Sequence, residues 1–278
     1  MSENDPLKET KNMASVLSDV FKMAGENPET KQAARNLGKT AITITETVNT
    51  ILLPIAAVNF AFKKAKDYFS TDFPKDILEK TQDIPVENIA EPKPSIAAPL
   101  LQGLAFSIEE PNLKEMFLNL LKSSMDNRTQ NLVHPAYVDV IKQLTSQEAN
   151  ILSIYLKTNR NEFPIVRIVG KERNNSISGS NFKTLFENIL KIEVESEELN
   201  LGQSSSIVDN WVRLGLFSLD YSTYLTDCKS YDWVESSKEY KLALIALSQA
   251  SMDPEIRKGT LNITAFGNLF AKAIGVRK

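Results

Sequence analysis

Side chains that commonly carry catalysis or bind metals are scarce in this chain. It holds one cysteine, Cys228, and one histidine, His134, among 278 residues. A lone thiol cannot close an internal disulfide, and a single imidazole and thiol fall short of the ligand set a zinc site needs. The cysteine count therefore points to a reducing compartment, and no metal or other cofactor is expected. Also missing is a basic stretch followed by an apolar core at the start, MSENDPLKETKNMASVLSDVF, so no secretory signal is read and a cytoplasmic resting state is expected. A large charge of one sign is absent too. At a formal net charge of −3 there is no overall attraction to nucleic acid or anionic lipid, and such binding would need a local patch.

Catalytic signatures are equally thin. His134, in LVHPAY, precedes a proline at a helix start with no Ser, Cys or Asp partner signalled nearby, which reads as a cap or packing residue. Cys228, in TDCKSY, has no neighbouring histidine and reads as an inert thiol. VGKERNNSISGS lacks the glycine spacing and the Gly-Lys-Ser/Thr of a phosphate loop. Glu109 and Glu110 stand just before Pro111, where carboxylates favour the positive end of a helix, so an acid–base pair is not required to explain them. No catalytic residue is assigned, and the protein is not expected to be an enzyme.

What the chain does contain is ordinary globular material, 42% hydrophobic and 24% charged, enough for two domains with cores. Met13, Val16, Leu17, Val20, Phe21 and Met23 recur at helical spacing, and a second short helix follows from Asn27 and Pro28 to a stop at Gly38. From Lys39 to Phe69 one wide apolar face predicts a long helix, interrupted at Pro54. FPKDILEKTQDIP reads as a short helix and EPKP as a crossover. Pro111 opens a helix whose stripe is Leu113, Met116, Phe117, Leu120 and Leu121, and HPAYVDVIKQL is another.

After Leu144 the pattern changes. Thr145 and Glu148 form a capping box at the start of a helix, NEFPIVRIVG alternates like a strand, and NFKTLFENILKIE has helical spacing. SSSIVDNWVRLGLFSLDYS predicts a helix running through Gly215 into a strand. A last strand and helix follow in KGTLNITAFGNLFAKAIG. KLALIALSQ, within an insert over residues 231–252, fits either strand or helix.

The fold class expected is mainly α. Residues 1–38 form a helical arm, 39–143 a helical bundle with hydrophobic hairpin segments, and 144–278 a winged-helix-like α+β domain with an insert in the wing. In that domain residues 207–214 would be the recognition helix, with Ser205, Asn210 and Arg213 as candidate readers. Groove readers usually bring several cations, and Asp209 would repel phosphate, so nucleic acid is not the favoured partner.

Two uncharged segments stand out. Residues 40–62 match the roughly 20 residues of a bilayer-spanning helix and end on Lys63 and Lys64. Glu46, Asn49, Pro54 and Asn59 oppose constitutive insertion, since a central carboxylate costs about 2.5–3.5 kcal/mol. Residues 94–108 are too short to span. The expectation is that both pack as a hydrophobic hairpin in the bundle and form a conditional membrane element. Its candidate contact residues are Ile44, Val48, Ile51, Leu52, Ile55, Val58, Phe62, Leu100, Leu101, Leu104 and Phe106.

The phrases VNTILLPIAAVNFAFKKAKDYF, EPKPSIAAPLLQGLAFSIEEPNLKEMFLNLL, HPAYVDVIKQLTSQEANIL, VDNWVRLGLFSLDY and ITAFGNLFAKA, in that order, resemble the abortive infection alpha family of bacterial proteins. The resemblance implies defence against phage, in which the infected cell is sacrificed or arrested. It transfers no catalytic residue. The working expectation is a sensor of a phage component, a protein, that acts on the inner membrane after activation and assembles as a homo-oligomer if a pore forms. Its rivals are a winged-helix DNA-binding regulator and a scaffold that sequesters a phage protein.

Overall fold

The computed structural model describes residues 59–173, 182–192, 201–250 and 252–277; the side chains of residues 59–62 and of Cys228 are outside that description. The helices expected between Met13 and Gly38, and the run from Lys39 to Val58, therefore lie outside the described residues. Within them the protein is mainly α with one four-stranded antiparallel sheet. It divides into two units. The first holds the described residues up to Ser153 and those from Leu269 onward, and the second is Ile154–Asn268.

Prolines start three helices of the first unit. After α1 (Asn59–Thr71), α2 (Phe73–Thr81), α3 (Pro94–Phe106) and α4 (Pro111–Ser124) each carry a proline in the first turn, where its missing N–H leaves no bond unmade. The expected stripe of α4, from Leu113 to Leu121, is buried, while Lys114, Glu115 and Lys122 stay at least partly exposed. Next comes α5 (Ala136–Lys142), and His134 accepts the Ala136 N–H on Nδ1 at 3.1 Å, the capping role expected of it. At the head of α6 (Ser146–Lys157) the capping box is present. Glu148 N–H donates to Thr145 Oγ1 at 3.1 Å, and Thr145 N–H donates to Glu148 Oε2 at 2.7 Å.

The second unit is built on a sheet of order β2-β1-β4-β3, from β1 (Glu162–Glu172), β2 (Phe182–Leu190), β3 (Phe217–Asp220) and β4 (Met252–Ile263). Helix α7 (Gln203–Arg213) precedes β3, and Gly215, at φ 74°, ends it: Gly215 N–H bonds the Val212 carbonyl and Leu216 N–H the Trp211 carbonyl. Trp211 then stacks on Phe217 at 5.3 Å. The ambiguous KLALIALSQ is helix α8 (Lys238–Leu247), capped by Ser237, whose hydroxyl accepts the Tyr240 N–H at 3.2 Å. Together with Tyr231 and Val234, Ala243 of α8 closes over Val166, Ile168 and Ile189 of the sheet. After β4 the chain enters α9 (Ala265–Ala273).

One expected element is corrected. NFKTLFENILKIE is not a helix; Phe182–Leu190 is a strand paired antiparallel with β1. The register slips between Val166 and Ile168 and again between Ile168 and Val169, so β2 inserts an extra residue twice. Two bulges in a short strand turn a two-residue alternation into three- and four-residue steps at Phe182, Leu185, Phe186, Ile189 and Leu190, which imitates a helix. The strands around β1, β3 and β4 fall where a winged-helix reading places them, but the helix it requires before α7 is replaced by β2.

Candidate functional site

Residues 94–108 hold no charged side chain, and α3 occupies most of them. A surface helix normally keeps a polar outer face. In α3, Ile96, Ala97, Leu100, Leu101, Leu104 and Ala105 are buried, and of the candidate membrane contacts in this helix only Phe106 reaches solvent, at 58% exposure. Helices α1, α4 and α5 pack around it. Gly103 permits the approach of α4, since a Cβ there would lie 2.6 Å from Phe117 Cζ.

The α1–α2 hairpin packs on α3 through α1 and on α4 through α2. Within the hairpin Tyr68, Phe69 and Phe73 are buried and cluster together, with ring centroids 5.1–6.1 Å apart. Four lysine–carboxylate pairs tie it to its neighbours. Lys64 pairs with Glu109 and Lys80 with Glu115, while Lys114–Asp76 and Lys122–Asp83 each close at 2.7 Å. All four are reached by solvent, so each contributes about 0.2–1 kcal/mol and weakens with salt. Lys122 holds the Asp83 carboxyl below its ordinary pKa. The Tyr68 hydroxyl donates to Asp76 Oδ2 at 2.8 Å; burial, then the Asp76 carboxylate, pushes that phenol above its ordinary pKa. An uncharged helix is thus closed beneath a hairpin held partly by ion pairs.

At 13 residues α3 is roughly 20 Å long, short of the ~30 Å hydrocarbon core of a bilayer. No described helix is long and apolar enough to cross a membrane. Of the other candidate contacts, Ile44, Val48, Ile51, Leu52, Ile55 and Val58 lie outside the described residues, and Phe62 is in α1 with its side chain outside them.

The candidate readers on α7 are engaged elsewhere. Ser205 Oγ donates to the Glu187 carbonyl on β2, and Asn210 Oδ1 accepts from Arg213 Nη2 at 2.6 Å. Sequence reasoning missed the partner that organises this face, Asn188, whose amide donates to Asp209 and whose Oδ1 accepts the Tyr221 hydroxyl at 3.0 Å. It also missed the outer face of α8, where Leu242, Leu244 and Ile245 are 40%, 47% and 69% exposed. Among the described residues no group of three or more His, Cys, Asp or Glu is placed to hold a metal ion.

No curated protein matches the chain, and no solved structure does. The family model described as abortive infection alpha matches residues 65–274, a span that takes in residues of both units. The chain therefore belongs to the abortive infection alpha family, and its broad role is abortive infection, a defence against phage.

Proposed function

We propose that this protein acts in abortive infection without catalysis: it is cytoplasmic at rest, a phage protein triggers it, and α3, freed from beneath the α1–α2 hairpin, enters the inner membrane. The observation that carries the reading is α3 itself, uncharged along its whole length and closed off by neighbouring helices. Too short to span alone, it would lie in the interface or pair with residues 40–62, and copies would assemble if a pore is made. A protein trigger is supported by Leu242, Leu244 and Ile245, an exposed apolar face of the kind that marks protein contacts.

The test is single-cell membrane potential, read by dye, during infection by a phage the protein restricts. Depolarisation before the normal lysis time, only in cells carrying the protein, is expected, and Phe106→Asp should reduce it. That position is exposed, so the variant keeps its fold, whereas a carboxylate at Leu101 would unfold the core. Full protection with an intact potential would sink the membrane reading and favour a scaffold that sequesters a phage protein.

A further inference from the structure

The α1–α2 hairpin holds its own shape. Tyr68 and Phe69 of α1 pack against Phe73 of α2, and the Tyr68 hydroxyl donates to Asp76 of α2 at 2.8 Å. The turn between the two helices closes on its own backbone, Asp72 N–H bonding the Tyr68 carbonyl at 3.0 Å and Asp76 N–H the Asp72 carbonyl at 2.9 Å. A piece with an internal aromatic cluster can move without melting.

Its ties to the chain after α3 alternate in sign. Lys64, Asp76, Lys80 and, just after α2, Asp83 meet Glu109, Lys114, Glu115 and Lys122 in that order. Shifting the pairing by one partner would set like charges together, so the pattern fixes one register. Lys114 Nζ also lies 4.7 Å from the centroid of the Tyr68 ring. Solvent reaches every pair, so each parts at little cost.

The chain leaving the hairpin is anchored a few residues on. Ile89 bridges Asp126: Ala90 N–H donates to the Met125 carbonyl and Asn127 N–H to the Asn88 carbonyl, both at 2.8 Å, and Gln130 Nε2 donates to the Glu91 carbonyl at 3.1 Å. Before that anchor the backbone bonds are local, from Ile84 to Thr81 and from Asn88 to Pro85. Residues 84–88 can therefore bend without pulling on Pro94, where α3 begins.

We propose that the α1–α2 hairpin is an autoinhibitory lid: it opens as one piece about residues 84–88, uncovers the face of α3 that α1 packs against, and is kept shut in part by the alternating ion pairs. The lid rests on the membrane reading for what the uncovered face then meets; its opening needs no membrane.

Spin-label distances in the full chain test it, with Cys228→Ser as background. Labels at Lys75 on α2 and Asp139 on α5, both exposed, read opening, and labels at Asp67 and Lys75 read the hairpin itself. Lys80→Glu and Glu115→Lys should each raise the longer-distance population between α2 and α5 about twofold or more. The two reversals together should return it to the wild-type level, and the distance within the hairpin should stay fixed. A single unchanged distance across all four proteins would overturn the proposal, as would a hairpin whose own distance broadens, which is melting rather than opening. In cells, Lys80→Glu should depolarise the membrane without phage. If wild type depolarises on infection and Lys80→Glu, shown open, does not do so uninfected, the hairpin is no inhibitor and the proposal falls. If neither ever depolarises, the membrane reading falls while the distances still decide the lid.

Discussion

Asn188 of β2 donates its side-chain amide to the Asp209 carboxylate of α7 at 2.6 Å. Asn188 has φ 51°, a left-handed conformation that asparagine tolerates better than most residues, and it sits where β2 bulges. With the Ser205–Glu187 bond, this contact gives part of the polar surface of α7 to the sheet, where a groove reader needs it free. Fluorescence anisotropy with random duplex DNA at low salt tests this. No binding is expected, and Arg213→Ala should change nothing. A salt-dependent affinity that Arg213→Ala abolishes would revive the DNA reading.

Burial separates the candidate membrane residues by their cost. Leu101 is fully buried in α3 and Phe106 is mostly exposed. Leu101→Ala should lower stability by about 2–5 kcal/mol, and Phe106→Ala should stay within about 0.5 kcal/mol of wild type in urea unfolding. Equal effects would mean that α3 is not enclosed as described.

Local signals carried much of the fold. The Thr145–Glu148 capping box, the His134 cap, the α4 stripe and the Gly215 stop each lie within a few residues of sequence, where hydrogen-bond geometry writes itself into residue type. β2 was not legible because its bulges depend on pairing with β1, and α8 because a short apolar run fits two periods. The same division holds at the site. Leu100, Leu101 and Leu104 were visible as an uncharged run, but the Lys64–Glu109 and Lys80–Glu115 pairs that hold the cover join residues far apart in sequence.

Asp126 makes a pH prediction. Its side chain is 3% exposed and accepts from Arg128 Nη2 at 2.6 Å, Nε at 2.9 Å and the backbone N–H at 2.9 Å. The hydrogen bonds from the guanidinium hold its pKa below the ordinary 3.8. Because the folded value is the lower one, the stabilisation is complete above the unfolded value and is lost as pH falls through the folded one. Asp126→Asn should cost about 1.5–3 kcal/mol at neutral pH. In urea unfolding the gap to wild type should hold constant above about pH 5 and shrink from about pH 4 downward. A gap that is the same at every pH would show that the charge of Asp126 does not contribute.

Gly267, in the first turn of α9, faces the Leu216 carbonyl so closely that a Cβ would lie 2.2 Å from its oxygen and 3.2 Å from Ile263 Cγ2. Neither side can yield cheaply. The Leu216 carbonyl accepts the Thr264 N–H at 3.0 Å, Thr264 Oγ1 donates to the Gly215 carbonyl at 2.6 Å, and the same oxygen accepts the Gly267 N–H at 2.9 Å. The end of α7 and the start of α9 are thereby clamped to one threonine. Alanine is the better helix former by up to about 1 kcal/mol, so on propensity alone Gly267→Ala would stabilise. The close approach reverses the sign, and a loss of about 1–3 kcal/mol is expected. Amide exchange across residues 207–220 should speed up in the variant, since displacing the Leu216 carbonyl disturbs the turn that ends α7. Slower exchange and a higher urea midpoint would mean that propensity wins and the clamp is looser than the 2.2 Å approach implies.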